Sequence, residues 1–376
     1  MKKQPVIYLA AMTAIIVVAA VLAIWLRQSV NQAAFSPAPL FPDLAARSEE
    51  VDKLVFMSPA QTITVARDAK GGWIVDGTGG WAANFDAVRK AILALSNLQA
   101  IERRTNVADN HAALSLTDPT GKAEAGRAGL RVSAYNKAGG EMAAVIVGKL
   151  RTPPDGNRPA VVFVRRAGED QTYLAEGDVN YPMQISDVLD RMLFDVVARR
   201  IMSATVTPPS GPAFDVRRSD PKAEFAFTKI PKGLEPVLDS LASSIAETVA
   251  LLTLENALPA TQINFTGATK VTHRLFDGLV LNSETVKIDN RRWTKFSASF
   301  DVAQAAAAAK SGLIAAHKEL KSEADVKTQV EAINSRTSGW AFMLPGMRAT
   351  DLMRDMKSLF RVKQPRQSAP PRPSGE

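Results

Sequence analysis

The chain has 376 residues, no cysteine and a formal net charge of +8, which excludes disulfide staples, thiol catalysis and cysteine metal sites. Residues 1–27 hold +3 of that charge and residues 361–376 another +3, leaving +2 on residues 28–360. A nucleic-acid binder needs a basic face on its folded part, so no nucleic-acid partner is expected.

Residues 6–26 carry no charged side chain. As a helix, at about 1.5 Å per residue, the run reaches roughly 32 Å, the depth of a bilayer's hydrocarbon core. It is longer than the roughly 7–15 apolar residues of a secretory leader, and no Ala-x-Ala follows between Arg27 and Ala34. A retained transmembrane anchor with its cytoplasmic stub is therefore expected over residues 1–27, in preference to a cleaved leader or a buried core helix. Lys2 and Lys3 precede the run, and Arg47 is the one basic residue in 28–50. That bias keeps the amino terminus inside. The expectation is a single-pass protein of the bacterial inner membrane, held to the bilayer through residues 6–26, with a periplasmic body.

Residues 28–50 read as a linker, because Pro37, Pro39 and Pro42 stop helix propagation. A first unit is expected over residues 51–200. It opens with strands at 51–57, 62–67 and 72–76, of which the second alternates cleanly: Ile63 and Val65 against Thr62 and Thr64. A helix follows with Asn84 as its N-cap and a stripe of Val88, Ala91, Ile92, Leu95 and Leu98. Strands at 130–135 and 142–147, joined by the hairpin signal Gly139-Gly140, then at 161–165 and 172–175, complete it. A helix built on Val188, Leu189, Met192, Leu193 and Val196 leads onward.

The same grammar returns in a second unit over residues 201–300. Strands are expected at 202–207, 214–218 and 224–228, and a helix opening at Pro236 carries Val237, Leu238, Leu241 and Ile245. Strands at 262–266, 271–276, 279–282, 285–288 and 293–297 follow. The offset near 150 residues at both the first strand and the helix suggests two copies of one unit. Residues 301–360 become helical and end in a stripe of Leu352, Met353, Met356, Leu359 and Phe360, expected to dock back on the body. The tail, 361–376, is proline-rich and too polar to pack, and is expected to be disordered. The fold class expected is α+β: a transmembrane helix, two related units of antiparallel meander strands with helices on one face, and a C-terminal helical segment.

Chemistry is sparse. His111, His273 and His317 have no second ligand at metal spacing. Gly148-Lys149 resembles the end of a phosphate-binding loop, but Leu150 offers no hydroxyl for Mg²⁺. Ser219 to Lys222 matches Ser-x-x-Lys by letters, yet Pro221 puts it in a turn. No catalytic residue, metal or cofactor is expected. Trp73 and Trp293 sit on strand patterns and read as core. Trp81 and Trp340 lie at loop edges, and with Phe342, Leu352, Met356 and Phe360 they form the candidate interaction surface.

Four stretches in this order resemble the bacterial family called domain of unknown function 4340: Leu40 to Arg47, Gly72 to Leu95, Phe163 to Leu174, and Trp340 to Pro345. The resemblance spans roughly residues 40–360. Phe342, where a tyrosine is common in the family, and a longer helical insertion at 302–334 depart from it. It implies a membrane-anchored extracytoplasmic protein linked to ABC-type transport systems with gliding-motility-type auxiliary subunits. The function expected is therefore a non-enzymatic accessory or scaffold that contacts an ABC permease, ATPase or auxiliary subunits. The alternative is a periplasmic binding module for envelope glycan or lipid.

Overall fold

Period-two burial organises the chain from its first strands. Ile63 and Val65 are inside while Thr62 and Arg67 face water, and Val51, Leu54 and Phe56 are buried on the preceding strand. These elements come from a computed structural model, which describes residues 35–120, 126–151 and 161–363, with Val17, Val18 and Glu124. Apart from Val17 and Val18, the run 6–26 lies outside the described residues, as do positions 364–376 of the tail. Among the described residues no helix is long and apolar enough to cross a membrane.

The α+β expectation with a transmembrane helix is corrected. Strand outweighs helix, 36% against 27%, and every ladder between the named strands whose register is defined is antiparallel. Two expected helices account for part of the difference. The stretch around 188–196 is helical only over Ile185–Val188 and then becomes the strand Met192–Phe194. The strand forms where Met192 and Phe194 pair with Thr253 and Leu252, a partner about sixty residues on that local helical spacing does not reveal. Pro236 ends the strand Leu234–Pro236 rather than opening a helix, which begins only at Leu241.

The chain divides into two compact units, Met1–Thr64 with Val88–Met183, and Val65–Ala87 with Gln184–Glu376. It therefore passes between them three times. In chain order the first elements are β1 (Ala38–Pro39), α1 (Pro42–Ala46), β2 (Val51–Met57), β3 (Thr62–Arg67), β4 (Trp73–Val75), α2 (Phe85–Ser96), β5 (Gln99–Arg103), β6 (Leu130–Asn136), β7 (Glu141–Arg151), β8 (Val161–Arg166) and β9 (Thr172–Glu176). Strand order in unit 1 is β1-β5-β9-β8-β7-β6-β2-β3. β4 pairs with the end of β3, Val65 opposite Val75, inside the segment that belongs to unit 2.

Local chemistry explains these elements. The Asn84 side chain accepts from the Ala87 amide at 2.9 Å, satisfying one free donor at the start of α2. Val88, Ala91, Ala94 and Leu95 form the buried stripe of that helix. Leu95 is fully buried, worth about 2 kcal/mol of transfer free energy. The β6–β7 hairpin turns on Gly139 at φ 83°, and Asn136 Oδ1 accepts from the Gly140 amide at 2.8 Å.

Unit 2 continues with α3 (Ile185–Val188), β10 (Met192–Phe194), β11 (Ile201–Thr207), β12 (Phe214–Arg217), β13 (Ala226–Phe227), β14 (Leu234–Pro236), α4 (Leu241–Ala246), β15 (Leu252–Thr253), β16 (Asn256–Pro259), β17 (Thr269–Leu275), β18 (Leu279–Ile288) and β19 (Arg291–Phe300). Three helices follow, α5 (Val302–Lys310), α6 (Leu313–Ala316) and α7 (Glu323–Thr337). The last elements are β20 (Trp340–Met343), α8 (Gly346–Asp351), α9 (Met356–Leu359) and β21 (Phe360–Val362). The main sheet runs β13-β12-β11-β17-β18-β19-β20-β16, and β10–β15 and β14–β21 are separate pairs. Seven consecutive positions correspond between the units: β3-β2-β6-β7-β8-β9-β5 and β12-β11-β17-β18-β19-β20-β16. β2 and β11 begin 150 residues apart.

Helix α7 lies along β19. Its Asn334 side chain accepts from the Ala298 amide and donates to the Ala298 carbonyl, both at 2.8 Å. At the C-terminal end β21 pairs with β14, Leu352 and Leu359 are buried, and Phe360 meets Phe227 edge-on at 4.9 Å.

Candidate functional site

In unit 2 the turn after β4 positions Trp81. Thr78 Oγ1 donates to the Val75 carbonyl at 2.6 Å and accepts from the Trp81 amide at 3.0 Å. Gly79 has φ 72°, and a β-carbon there would lie 2.5 Å from the Pro259 ring, so only glycine fits. The Trp81 ring stands edge-on to Trp340 and to Phe342, each at 5.1 Å. Its Nε1 donates to the Asp190 carbonyl at 3.0 Å, and the Arg336 guanidinium lies 5.0 Å from the ring centroid while pairing with the Asp190 carboxylate at 2.9 Å. This is a packed buttress held by aromatic edges and a cation–π contact.

The structure thus brings Trp81, Trp340 and Phe342 together, but inside the unit. Trp81, Phe342, Leu352 and Phe360 are buried, and Trp340 and Met356 are half-buried. Phe360 packs on Phe227 instead. The six side chains do not make an open surface.

Unit 2 exposes other apolar groups, among them Phe85, Val302 and Val362 and three near α4 and α8. Met347 on α8 is 79% exposed, Leu238 before α4 59%, and Leu251 54%. α8 packs on α4 and on residues 247–249, and the Arg348 guanidinium donates to the Glu247 carbonyl. Leu251 also has φ 43°, a left-handed conformation rare for a γ-branched side chain. The sequence placed Leu238 on a helical apolar stripe and singled out neither Leu251 nor Met347.

The buried polar groups of unit 2 are built into its packing. Arg200 Nε donates to Asp277 Oδ2 at 2.7 Å, and both residues are buried. Gln329 of α7 accepts from Arg200 Nη1 at 2.9 Å, and the Lys321 amide donates to Asp277 Oδ2 at 3.0 Å. His273 on β17 is fully buried, with Nε2 2.9 Å from Thr248 Oγ1. Desolvation pushes its pKa down to about 4, slightly opposed by the Ile245 carbonyl. His111 Nε2 lies 2.9 Å from the Asp170 carbonyl, and His317 lies 3.6 Å from Asp220. Among the described residues no three His, Asp or Glu side chains converge as a metal site.

Unit 1 contains a cleft of about 390 Å³ lined by Ser115, Leu130, Val147, Gly148, Lys149, Tyr181 and their neighbours. Two glycines shape it. A β-carbon on Gly148 would lie 2.3 Å from the Leu114 carbonyl oxygen, and one on Gly129 2.6 Å from Ile146 Cγ2 and 2.7 Å from the Ser115 oxygen. Ser115 itself has φ 56°, and its hydroxyl donates to the Gly126 carbonyl at 2.6 Å.

These features define an antiparallel, strand-dominated protein whose two units repeat one strand order and whose buried ionisable groups serve packing. Residues 73–273 match the family described as Domain of unknown function (DUF4340), and the chain belongs to that family. No curated protein and no solved structure matches it.

Proposed function

We propose that the chain is a non-enzymatic accessory or scaffold protein of an ABC-type transport complex. It works at the bacterial inner membrane with its body on the periplasmic side. The observation that carries the contact reading is the exposed apolar set Leu238, Leu251 and Met347 of unit 2, of which Met347 lies on α8 and the other two flank the segment 241–249 on which α8 packs. Leu251 is held outward in a strained backbone conformation, as residues at contact and switch sites often are. The uncharged run 6–26 supports the location. Confinement near a membrane raises effective concentration toward partners there, so a modest patch suffices. The test is affinity purification from detergent-solubilised membranes. Wild-type protein should bring down an ABC permease and ATPase, and Leu251→Asp with Met347→Asp should lose them while keeping the unfolding midpoint. Retention of both subunits by the double variant would sink the reading.

A second reading, a periplasmic binding module for envelope glycan or lipid, is favoured by the cleft of unit 1, whose volume falls in the range of small-ligand sites.

A further inference from the structure

We infer that the cleft of unit 1 binds a small monoanionic amphiphile, a carboxylate on a short apolar chain, with Lys149 engaging the anion. This rests on the binding-module reading and narrows it to one chemical class.

The lining selects for charge. Among the described residues it holds one ammonium, Lys149, and no carboxylate. Lys149 Nζ donates to the Ala113 carbonyl at 2.7 Å, which fixes the head while leaving two further N–H groups on the same nitrogen. The Gly-Lys pair set aside as a nucleotide loop thus sits on β7 at a concave surface. The lining also selects for an apolar body. Ala128, Leu130, Val147, Val179 and Met183 supply half of the other lining residues, the other half being glycine, serine, asparagine and tyrosine.

Tyr181 closes one wall of the cleft. It lines the cleft and is 4% exposed, and its hydroxyl has no hydrogen-bond partner among the described residues. Burial and the nearby Asp178 raise its pKa, so it remains a neutral phenol. That hydroxyl is itself shut off from the cleft, so an anion held by Lys149 does not contact it. The constrained floor made by Gly148, Gly129 and Ser115 keeps this geometry in place without a ligand.

The experiment uses the full chain in nanodiscs, with empty nanodiscs as blank. Carboxyl-labelled octanoate is titrated by NMR beside octanamide, its neutral counterpart. Saturable octanoate binding, at least about tenfold tighter than octanamide, is expected. Lys149→Gln should abolish that preference and Lys149→Arg should keep it. Lys149 is exposed, so its variants test binding and not folding. Equal binding of both probes would overturn the anion assignment and leave the binding-module reading standing. Binding of neither would overturn both.

Discussion

The two units share a strand order but treat one position in opposite ways. Glu50, just before β2, is exposed and pairs with Arg47 at 2.8 Å on the surface. Arg200, just before β11, is 1% exposed and pairs with Asp277 inside. The cause lies elsewhere in the sheet. Between β8 and β9 unit 1 has a short turn, with Gly168 at φ 81°. Between β19 and β20, the corresponding place in unit 2, the chain inserts α5, α6 and α7. Gln329 of α7 and the Lys321 amide add to the contacts of Arg200 and Asp277, leaving Arg200 Nη2 and Asp277 Oδ1 without a partner among the described residues, and Leu313, Ile314 and Leu320 pack on Met202 and Phe276. The inserted helices therefore bury an ion pair in unit 2 beside a position that is solvated in unit 1.

That contrast can be broken most forcefully at Asp277. Asp277→Ala strands a buried guanidinium and should cost about 3–5 kcal/mol in urea unfolding. Replacing both partners, Arg200→Met with Asp277→Leu, should recover most of that loss. If the single variant matches wild type, the pair is not structural. Trp81→Ala should cost a similar about 3–5 kcal/mol, and hydrogen exchange should localise the damage: β16, β19 and β20 lose protection while β6, β7 and β8 keep theirs. Acid sharpens the comparison at a somewhat smaller scale. His273 takes its proton near pH 4 when folded but near 6.5 when unfolded, so the unfolded chain binds more protons between those values. Its contribution is intact above pH 6.5 and is lost as pH falls toward 4, by up to roughly 3 kcal/mol. His273→Met should flatten that part of the pH–stability curve. The smallest effect is expected at Glu50→Ala, which should leave the urea midpoint unmoved because its partner stays solvated.

Much of the first half of the chain was legible from local signals. Alternation at 62–67, the Asn84 cap and the Gly139-Gly140 turn are each fixed by neighbours within a few residues. Signals failed where the deciding partner is distant. The stretch 279–288 reads as two strands because Asn282, Ser283 and Glu284 look like a turn. In the sheet, Asn282 accepts from Thr272 across the ladder at 2.8 Å, and β18 runs through unbroken. Trp81 reads as a loop edge, since Trp340 and Phe342, which bury it, lie far along the chain. The exposure of Met347 and of Leu251 was invisible, because nothing in their flanking residues marks them as turned outward.

Membership of Val65–Ala87 in unit 2 has a consequence during synthesis. Trp81 leaves the ribosome about 260 residues before Trp340, which at roughly 5–20 residues per second is a wait of some tens of seconds. Through that interval a large indole has no home, and a chaperone that recognises exposed aromatics would have its opportunity there. Nascent chains stalled short of Trp340 should be clipped by protease near 76–84 and those released past Leu359 should resist; equal resistance in both would mean the indole finds shelter earlier.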